Sequence, residues 1–374
     1  MTLRLKSVMT AAGIRQGALA DAVGISRSAL NVFINRGVLP VGVDREKFYA
    51  GVDEFLRSRQ ADCSTWHQDA TPANDESNED PAMLLRKQSL TPQARRAFSL
   101  PADPFADPAT PEEVFLSPDI RYVRESMYQV ARHGGFLAVV GESGAGKSTL
   151  REELSDRIRR DEQAVIMIEP YVLASEGTDL IGKTLRSHHI AEAIMAAVAP
   201  LAKAKSSPEA RFRQLHEALR DSARAGHSHV LVIEEAHSLP LPTLKHLKRF
   251  RELKDGLRPL LSVILIGQPE LAVKLSEHNP EVREVVQRIE IVTLPPLDKE
   301  LDGYLAHRFK RLGVSLDSVV TRDAIDALRT KLTPTRSSGT LLYPLAVHNA
   351  LAAAMNRAAD LGVPVVNADV VRGV

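Results

Sequence analysis

The sequence predicts an α/β protein with a parallel sheet, a helical region after it and a small all-α unit before it. Apolar runs rich in β-branched residues recur along the middle of the chain, separated by amphipathic stretches of helical period, as in strands that crossover helices bury on both faces. These runs are Phe136–Gly141, Ala164–Pro170, His229–Glu235 and Leu261–Gln268. After Pro296 only helical patterns remain, and residues 1–58 are also helix-patterned with few prolines.

The composition is that of a soluble globular protein. Hydrophobic residues make up 44% of the 374 residues and charged residues 25%, which provides apolar mass for a core. The net charge is +1, so a surface for nucleic acid has to be local. Cys63 is the single cysteine, which excludes an internal disulfide and favours a reducing compartment. Because neither a signal peptide nor an apolar run of about 20 residues is visible, we expect a cytoplasmic protein that contacts no membrane.

The chain divides into four segments by composition. Residues 1–58 are predicted to form the all-α unit, and residues 59–97 a flexible linker, because most of that stretch is polar, acidic and interrupted by prolines. Residues 98–297 carry the strand and helix alternation of the α/β core. Residues 298–374 are predicted to form the helical C-terminal region.

Residues Leu19–Asn35 have the spacing of a helix-turn-helix. Ala20 is small where two helices would cross, Gly24 lies four residues later at the turn, and Ser26 suits the N-cap of the second helix. That helix would present residue types that contact phosphates and base edges, namely Arg27, Ser28 and Asn31. Helical units of this spacing also bind proteins, and the sequence leaves the two roles open.

A phosphate-binding loop follows the first predicted strand. The segment "GESGAGKST" fits the pattern G-x-x-x-x-G-K-[ST] between a strand and a helix, which is the context that the motif requires. Its backbone N–H groups would surround phosphate oxygens of ATP, Lys147 would reach the β- and γ-phosphates, and the Ser148 hydroxyl would bind Mg²⁺. The predicted nucleotide-binding residues are Gly141, Glu142, Ser143, Gly144, Ala145, Gly146, Lys147, Ser148 and Thr149.

A second acidic site follows the third predicted strand. Glu234 and Glu235 end the run "VLVIEE", where the first carboxylate would hold Mg²⁺ and the second would polarise the attacking water. A bland alternative is a pair of solvated glutamates after a strand. Two carboxylates favour hydrolysis of the nucleotide over simple binding, and Glu234 stands where Asp is more common.

Three further residues are candidates for catalysis. Gln268 ends the fourth predicted strand, and the carboxyl ends of parallel strands line the ligand crevice, so this side chain could sense the γ-phosphate or orient water. Arg283 and Arg288 follow it, and an arginine supplied to a neighbouring subunit's nucleotide would stabilise the charge of the transition state. A solvated surface role is the alternative for each, and Arg288 is the stronger candidate of the two arginines.

Basic residues are concentrated on the stretch "LPLPTLKHLKRFRELKDG". In a chain of near-zero net charge, this concentration favours a polyanion partner such as a DNA backbone, with a solvated surface helix as the alternative. The candidate DNA-binding residues are Lys245, Lys248, Arg249 and Arg251 here, with Lys183 and Arg186 upstream. The adjacent His188 and His189 lack further ligands at metal-binding spacing, so no metal site is proposed for them.

The segments "GESGAGKST", "VLVIEEAHSL", "LIGQPEL" and "QRIEIVTLPPL" resemble, in that order and spacing, the AAA+ ATPases of the ExeA, TniB and MuB group. The resemblance covers about residues 98–370, and the helix-turn-helix in front of the ATPase core is most like the MuB branch of Mu-type phages. It implies an AAA+ P-loop fold with a helical C-terminal lid, cofactors ATP and Mg²⁺, and non-sequence-specific binding of double-stranded DNA. It also implies a helical filament of identical subunits that delivers target DNA to a DDE transposase, with hydrolysis driving disassembly.

Carried over to this sequence, the resemblance implies roles for the residues above. Glu234 and Glu235 fall at the second acidic motif, Gln268 at sensor 1 and Arg288 near the arginine-finger position. The sequence departs from the family pattern at Glu234 and in the lid helix, which lacks the arginine of sensor 2, and either departure implies slow or partner-triggered hydrolysis. A nucleotide-switched helix-turn-helix transcription regulator is the main alternative. An ExeA-like role in envelope assembly is disfavoured by the absence of an apolar span.

Overall fold

The structure, a computed structural model, consists of two compact units, Met1–Glu79 and Asp80–Val374. In the larger unit it describes residues 87–170, 185–203, 205–276, 282–333 and 339–374. In the smaller unit it describes residues 5, 8, 9, 14, 16–36, 39, 43–59 and 66. Lys183 and Cys63 lie outside the described residues, and so do the side chains of Ser28 and Asn31.

The smaller unit is all-α, as predicted. Its helices are α1 (Gln16–Ala22), α2 (Arg27–Arg36) and α3 (Arg45–Ser58). Leu19, Leu30 and Phe33 are among the buried side chains around which these helices pack. Gly24 has a φ of +72° in the turn between α1 and α2, and the Ser26 hydroxyl accepts a hydrogen bond from the N–H of Ala29 at 3.2 Å. The predicted turn glycine and N-cap are therefore confirmed.

The larger unit is built on one five-stranded parallel sheet. Its order is β2-β3-β4-β1-β5, and the register pairs Val140 of β1 with Gly267 of β4 and with Thr293 of β5. The carboxyl ends of the strands therefore meet at one edge, where ligands bind in open α/β sheets. The strands are β1 (Phe136–Val140), β2 (Val165–Ile168), β3 (Ser228–Ile233), β4 (Ser262–Gly267) and β5 (Glu290–Thr293).

Helices cover both faces of the sheet and continue into a helical C-terminal region. They are α4 (Pro92–Ala97), α5 (Pro118–His133), α6 (Lys147–Arg160), α7 (Ser187–Val198), α8 (Pro208–Arg224), α9 (Leu241–Arg251), α10 (Pro269–Lys274), α11 (Arg283–Val286), α12 (Leu301–Lys310), α13 (Arg322–Lys331), α14 (Pro344–Leu361) and α15 (Ala368–Arg372). A two-stranded hairpin joins Lys254–Asp255 to Arg258–Pro259. Among the described helices, none is both long and apolar enough to span a bilayer.

Side chains alternate between two cores along β1, β3 and β4. Ala138 and Leu231 pack with α7, α8 and α9 on one face, while Leu137 and Val232 pack with α5 and α6 on the other. The fold is an α/β fold with a parallel sheet and a helical C-terminal lid, as predicted. The lid, α12–α15, encloses a third core of its own.

The structure differs from the predicted linker, residues 59–97, at both of its ends. Trp66 is fully buried in the smaller unit, where its indole N–H donates to Asp53 at 2.6 Å. At the other end, α4 packs on α14 of the lid, and Asn356 joins the two by accepting from the N–H of Thr91 and donating to the carbonyl of Ser89. Apolar residues at each end of the segment pack into a core. The linker was predicted from the polar middle of the segment, which does not extend to these ends.

Candidate nucleotide site

The phosphate-binding loop connects β1 to the first residue of α6, Lys147. Gly144 and Gly146 have φ values of +76° and +93°, which β-carbon-bearing residues rarely adopt. At Gly141 a β-carbon would lie 3.1 Å from the Cβ of Leu294, so glycine is also needed where the loop leaves the sheet. The loop is anchored by a hydrogen bond from the N–H of Gly141 to the carbonyl of Gly267 at 3.1 Å. This is the conformation in which backbone N–H groups surround an anion.

Lys147 lies over its own loop. Its ammonium donates to the carbonyls of Gly141 at 2.7 Å and Glu142 at 2.8 Å. Burial lowers the pKa of Lys147, while the carboxylates of Glu235, Glu142 and Glu234 act in the opposite direction. The loop thus holds one cation at its centre, where a phosphate oxygen would replace the carbonyl oxygens as its partner.

The predicted acidic pair lies at the carboxyl end of β3. Glu235 has a φ of +49°, a left-handed conformation that turns the chain sharply directly after the strand. Glu234 and Glu235 are both partly solvent-exposed, at 38% and 57% of their side-chain surface. Both carboxylates are close enough to stabilise the positive charge of the Lys147 ammonium. The structure therefore brings the two predicted motifs together.

Arg151 is a site residue that the sequence analysis missed. Its guanidinium donates to Glu169, just after β2, at 2.7 Å and lies 3.3 Å from the carboxylate of Glu234. The arginine stands four residues after Lys147 on α6, and residues four apart share a helix face. The four-residue spacing from Lys147 was the only signal in the sequence that pointed to Arg151. The sequence did not indicate that carboxylates at the ends of two different strands would pair with this arginine.

Gln268 follows β4 at the predicted edge of the sheet and begins α10 as its N-cap residue. Its backbone N–H donates to Nδ1 of His237 at 3.4 Å, and Nε2 of His237 lies 3.5 Å from the Glu235 carboxylate. The imidazole therefore joins the ends of β3 and β4. His237 was not predicted as a site residue, because a histidine two residues after an acidic pair belongs to no known sequence motif.

A cavity of about 100 Å³ adjoins the loop. Ala145, Gly146 and Thr149 line it from the loop side, and Tyr304 and His348 line it from the lid. The cavity is small and largely apolar, and it touches the loop that would hold the phosphates. We expect the base of a bound nucleotide to lie here.

The lid side of this cavity is fixed by buried polar groups. Tyr304 and His348 are hydrogen-bonded, with 2.5 Å between Oη and Nε2, and burial raises the pKa of Tyr304 to about 12. Burial also lowers the pKa of His348 to about 3, and the positive charges of Arg308 and Arg311 act in the same direction. The imidazole is therefore neutral at physiological pH, and its Nε2 can accept the hydrogen bond that the Tyr304 hydroxyl donates.

Arg308 fastens the segment before α5 to the lid. This side chain is buried, and its guanidinium donates to the carbonyls of Pro104 at 2.8 Å and Ala106 at 2.5 Å. Residues around Pro104 therefore pack with the lid rather than with the sheet, although the predicted core began at residue 98. No signal in the sequence distinguishes Arg308 from the neighbouring basic residues of α12.

The residues present are suited to ATP and Mg²⁺. The glycine loop leaves space that β-carbons would fill, and the donor set near it, the Ser148 hydroxyl and the Glu234 carboxylate, consists of the hard oxygen ligands that Mg²⁺ prefers. When bound, the metal would neutralise phosphate charge and Lys147 would reach the terminal phosphates. Where the sequence analysis noted a missing sensor-2 arginine, Leu345 at the start of α14 donates its N–H to the carbonyl of Gly144 at 3.2 Å.

The two candidate arginines lie away from the loop of their own chain. Arg283 begins α11, and Arg288 precedes β5, whose residues run parallel to β1. Arg288 is therefore at the amino edge of the sheet, whereas the loop is at the carboxyl edge. Arg288 is exposed and pairs with Glu252 at 3.2 Å. A role for Arg288 at a nucleotide requires a second subunit.

The predicted cationic face of α9 is less uniform than the sequence indicated. Lys245 and Arg249 are exposed, but Lys248 forms ion pairs with Glu252 and Glu284, and Arg251 is half-buried. The acidic partners belong to the end of α9 and to α11, and only the tertiary structure brings the second of them near. Lys248 and Arg251 are thus weaker candidates for DNA contact than predicted, and burial lowers the pKa of Arg251.

Arg186 joins the exposed part of this face. The Thr243 hydroxyl on α9 donates to the carbonyl of Leu185 at 3.0 Å, which places the residue before α7 beside the amino half of α9. Arg211 and Arg249 line a cavity of about 580 Å³ between α7, α8 and α9. Arg211 also lies 3.8 Å from the carboxylate of Glu192. We call Arg186, Arg211, Lys245 and Arg249 the cationic surface. His189 accepts from the N–H of Arg186 at 3.2 Å, so its ring caps α7.

In the smaller unit the structure describes one of the three predicted DNA-contact side chains. Arg27 is exposed at the start of α2, and its guanidinium lies over Gly17, where a β-carbon would come within 2.7 Å of Nε. Ser28 and Asn31 belong to α2, but their side chains are outside the described part of the chain.

Comparison with known protein families gives the class of the larger unit. Residues 130–275 match the model of an AAA domain. The chain carries an AAA domain. The match runs from α5 to the end of α10 and includes the phosphate-binding loop, the acidic pair and Gln268, so it agrees with the strand order and with the site. This domain, residues 130–275, is an ATPase domain of the AAA+ class.

One curated relative and two solved structures show how far the similarity extends. The chain is 25% identical over 238 residues to general secretion pathway protein A of Aeromonas hydrophila, covering 62% of this chain and 40% of that protein, so it spans about two fifths of the relative's length. Cdc6p of Pyrobaculum aerophilum is similar with a TM-score of 0.47 and 15% identity, over 73% of this chain and 68% of the other. The ORC2 protein of Aeropyrum pernix gives 0.47 and 17%, over 72% and 69%. The first relative agrees with the ExeA part of the predicted resemblance.

Proposed function

We propose that this ATPase binds double-stranded DNA in the presence of ATP without reading its sequence, and assembles on it as a helical filament of identical subunits. The filament would deliver target DNA to a DDE transposase during DNA transposition of a Mu-like phage in the bacterial cytoplasm. Hydrolysis would drive disassembly. Arg288 of one subunit would act at the nucleotide of the next.

The cationic surface is the observation that carries the DNA-binding part of the proposal. It combines Arg186, which precedes α7, with Arg211 of α8 and with Lys245 and Arg249 of α9. The net charge of the whole chain is only +1. Such a local concentration attracts a phosphate backbone and releases counterions on binding. Backbone contacts of this kind carry no sequence information.

Electron microscopy of the full chain with a random linear duplex tests the assembly. We expect filaments with ATP, and none with ADP or without nucleotide. Lys147→Ala should abolish them, because the variant loses the cation at the centre of the loop. Discrete particles at particular sequences, whatever the nucleotide, would contradict the proposal.

Point variants in the full chain test the cationic surface. We expect the double variant Lys245→Ala/Arg249→Ala to weaken binding to unrelated duplexes uniformly and to reduce the slope of log affinity against log salt by about 1–2. Lys248→Ala is the matched control, because that side chain is only 23% exposed, whereas Lys245 and Arg249 are exposed. Equal effects of the double variant and the control would contradict the assignment of the surface.

The nucleotide-switched transcription regulator is kept as a second candidate because of one observation. The turn at Gly24 and the N-cap at Ser26 have the geometry of a helix-turn-helix, with Arg27 exposed at the start of α2. A regulator would lose its DNA binding in Arg27→Ala and would discriminate strongly between duplexes. The filament-forming ATPase would keep most of its ATP-dependent binding in that variant.

A further inference from the structure

Arg151 and Glu234 form an ion pair at the place where the metal of the nucleotide would be held. The Nε of Arg151 lies 3.3 Å from Oε1 of Glu234, and the arginine side chain is 22% exposed. This Nε–H is buried and forms no hydrogen bond among the described residues, whereas Nη1 donates to Glu169 at 2.7 Å. Its Nη2 also donates to Glu152 at 3.3 Å. The guanidinium is therefore hydrogen-bonded to Glu169 and Glu152, and only its ion pair with Glu234 lacks a hydrogen bond.

The position of Arg151 on α6 makes this pair relevant to the metal. Ser148, the predicted hydroxyl ligand, precedes it by three residues, and residues three apart share a helix face. Glu234 is the carboxylate of the same predicted metal site. The guanidinium of Arg151 thus lies close to Ser148 and Glu234, the two groups that would bind Mg²⁺.

The glutamate side chain explains how the pair can form. It is one methylene longer than the more common aspartate, which lets its carboxylate extend to the second turn of α6. A carboxylate oxygen that faces a guanidinium is a poorer ligand for a divalent cation, and the positive charge of Arg151 adds repulsion toward the metal.

We propose that Arg151 competes with Mg²⁺ for the Glu234 carboxylate and thereby sets the Mg²⁺ concentration at which the nucleotide site fills. Glu169 moderates the competition because it accepts a hydrogen bond from Nη1 of the same guanidinium and shares its charge with Glu234. The inference concerns regulation of the ATPase site and rests on the phosphate-binding loop being that site. It is independent of DNA binding.

The test is a Mg²⁺ titration of nucleotide binding, measured as the anisotropy of a fluorescent ATP analogue with the full chain. We expect Arg151→Gln to lower the Mg²⁺ concentration for half-saturation by about two- to fivefold, within the range that a partly exposed ion pair allows. Glu169→Gln should raise it, because the guanidinium then turns fully to Glu234. Arg151→Lys, which keeps the charge but loses the planar fork, should shift it less than Arg151→Gln.

Arg160→Gln is the matched control, since this arginine of the same helix pairs with Asp156 and Asp161 instead. In the double variant Arg151→Gln/Glu169→Gln, the effect of Glu169→Gln should largely vanish. A rise in half-saturation in Arg151→Gln, or shifts of Arg151→Gln and Glu169→Gln in the same direction, would overturn the competition and leave Arg151 a mere support of the fold. Nucleotide binding that survives Lys147→Ala would instead overturn the assignment of the site.

Discussion

At the residue scale, the chemistry of the site is concentrated in a few charges that already have protein partners. Lys147 donates to two carbonyls of its own loop, and Glu234 faces Arg151. A nucleotide with its metal has to replace these partners rather than enter a set of free groups. The binding free energy of the nucleotide is therefore the difference between its own contacts with these charges and the protein contacts that it replaces. Substituting a single charged residue changes this difference and can be measured as a change in affinity.

We predict that Lys147→Ala lowers the affinity for ATP by at least about tenfold and reduces hydrolysis to background, because hydrogen bonds to a charged donor contribute about 1.5–3 kcal/mol. Binding of a fluorescent ATP analogue measures the loss. Lys299→Ala, an exposed lysine beside α12, serves as the control and should bind like the unaltered chain. Unchanged binding in Lys147→Ala would remove the loop from the site.

A second prediction concerns pH. The pKa of His348 is about 3 in the folded chain and 6.5 ordinarily, so between these values the unfolded chain binds the extra proton. Stability conferred by the neutral imidazole is therefore full above pH 6.5 and declines as the pH falls toward 3, by up to about 1.4 kcal/mol per pH unit. Denaturant unfolding at pH 7 and pH 5 should show a smaller loss in His348→Gln than in the unaltered chain. An equal loss in both would contradict the buried, neutral histidine.

At the element scale, the lid and the phosphate-binding loop touch directly. The N–H of Leu345, at the start of α14, donates to the carbonyl of Gly144, and a β-carbon at Gly144 would come within 2.3 Å of the Cβ of Leu345. Movement of α14 would therefore act on the loop without an intervening side chain.

We predict that Gly144→Ala lowers the free energy of unfolding by about 1–3 kcal/mol more than Gly146→Ala does. Both glycines have positive φ, so the backbone strain of an alanine is shared, but a β-carbon at Gly146 meets no atom within 4 Å. Chemical denaturation of the two variants measures the difference. Similar losses of unfolding free energy in the two variants would show that Leu345 can move away from a β-carbon at residue 144 without destabilising the fold.

The segment before the core depends on α14 in another way. Asn349 accepts from the N–H of Gln88 at 3.0 Å, and Asn356, two turns later, bridges Ser89 and Thr91. We predict that Asn356→Ala speeds proteolytic cleavage within residues 88–98 several-fold, while Arg357→Ala, an exposed neighbour, does not. Limited proteolysis with mass spectrometry of the fragments measures the rates. Equal rates in the two variants would mean that the amides do not hold the segment.

At the scale of the whole molecule, the two compact units have separate cores, and only one of them carries the nucleotide site. Trp66, the single tryptophan of the chain, is buried in the smaller unit. Its emission therefore reports unfolding of that unit, whereas circular dichroism is dominated by the larger one.

We predict that Mg²⁺ and ATP raise the melting temperature seen by circular dichroism and leave that seen by Trp66 emission unchanged, because a ligand stabilises only the unit that binds it. Thermal melts with both probes measure the two transitions in one sample. If ATP shifted both transitions equally, the two units would unfold as one.

Much of this molecule was predictable because its signals are local. The glycine spacing of the phosphate-binding loop requires positive φ at Gly144 and Gly146, and the turn at Gly24 with its Ser26 cap follows from short-range sterics and one hydrogen bond. The β-branched runs predicted β1, β2, β3 and β4 because strands buried on both faces have to be apolar throughout. The ends of these strands predicted Glu234, Glu235 and Gln268 at one edge.

The sequence by itself determined the class of fold, the ATPase loop and the acidic edge of the sheet, since each depends on residues close together in the chain. Only the tertiary structure decided which distant charges meet. It paired Arg151 with Glu169 and Glu234, paired Lys248 with Glu284 so that the cationic face of α9 is divided, and gave both ends of the expected linker to the two cores. The physical reason is common to all three. An ion pair or an apolar contact between distant segments depends on the folded path of the chain, and no local spacing specifies that path.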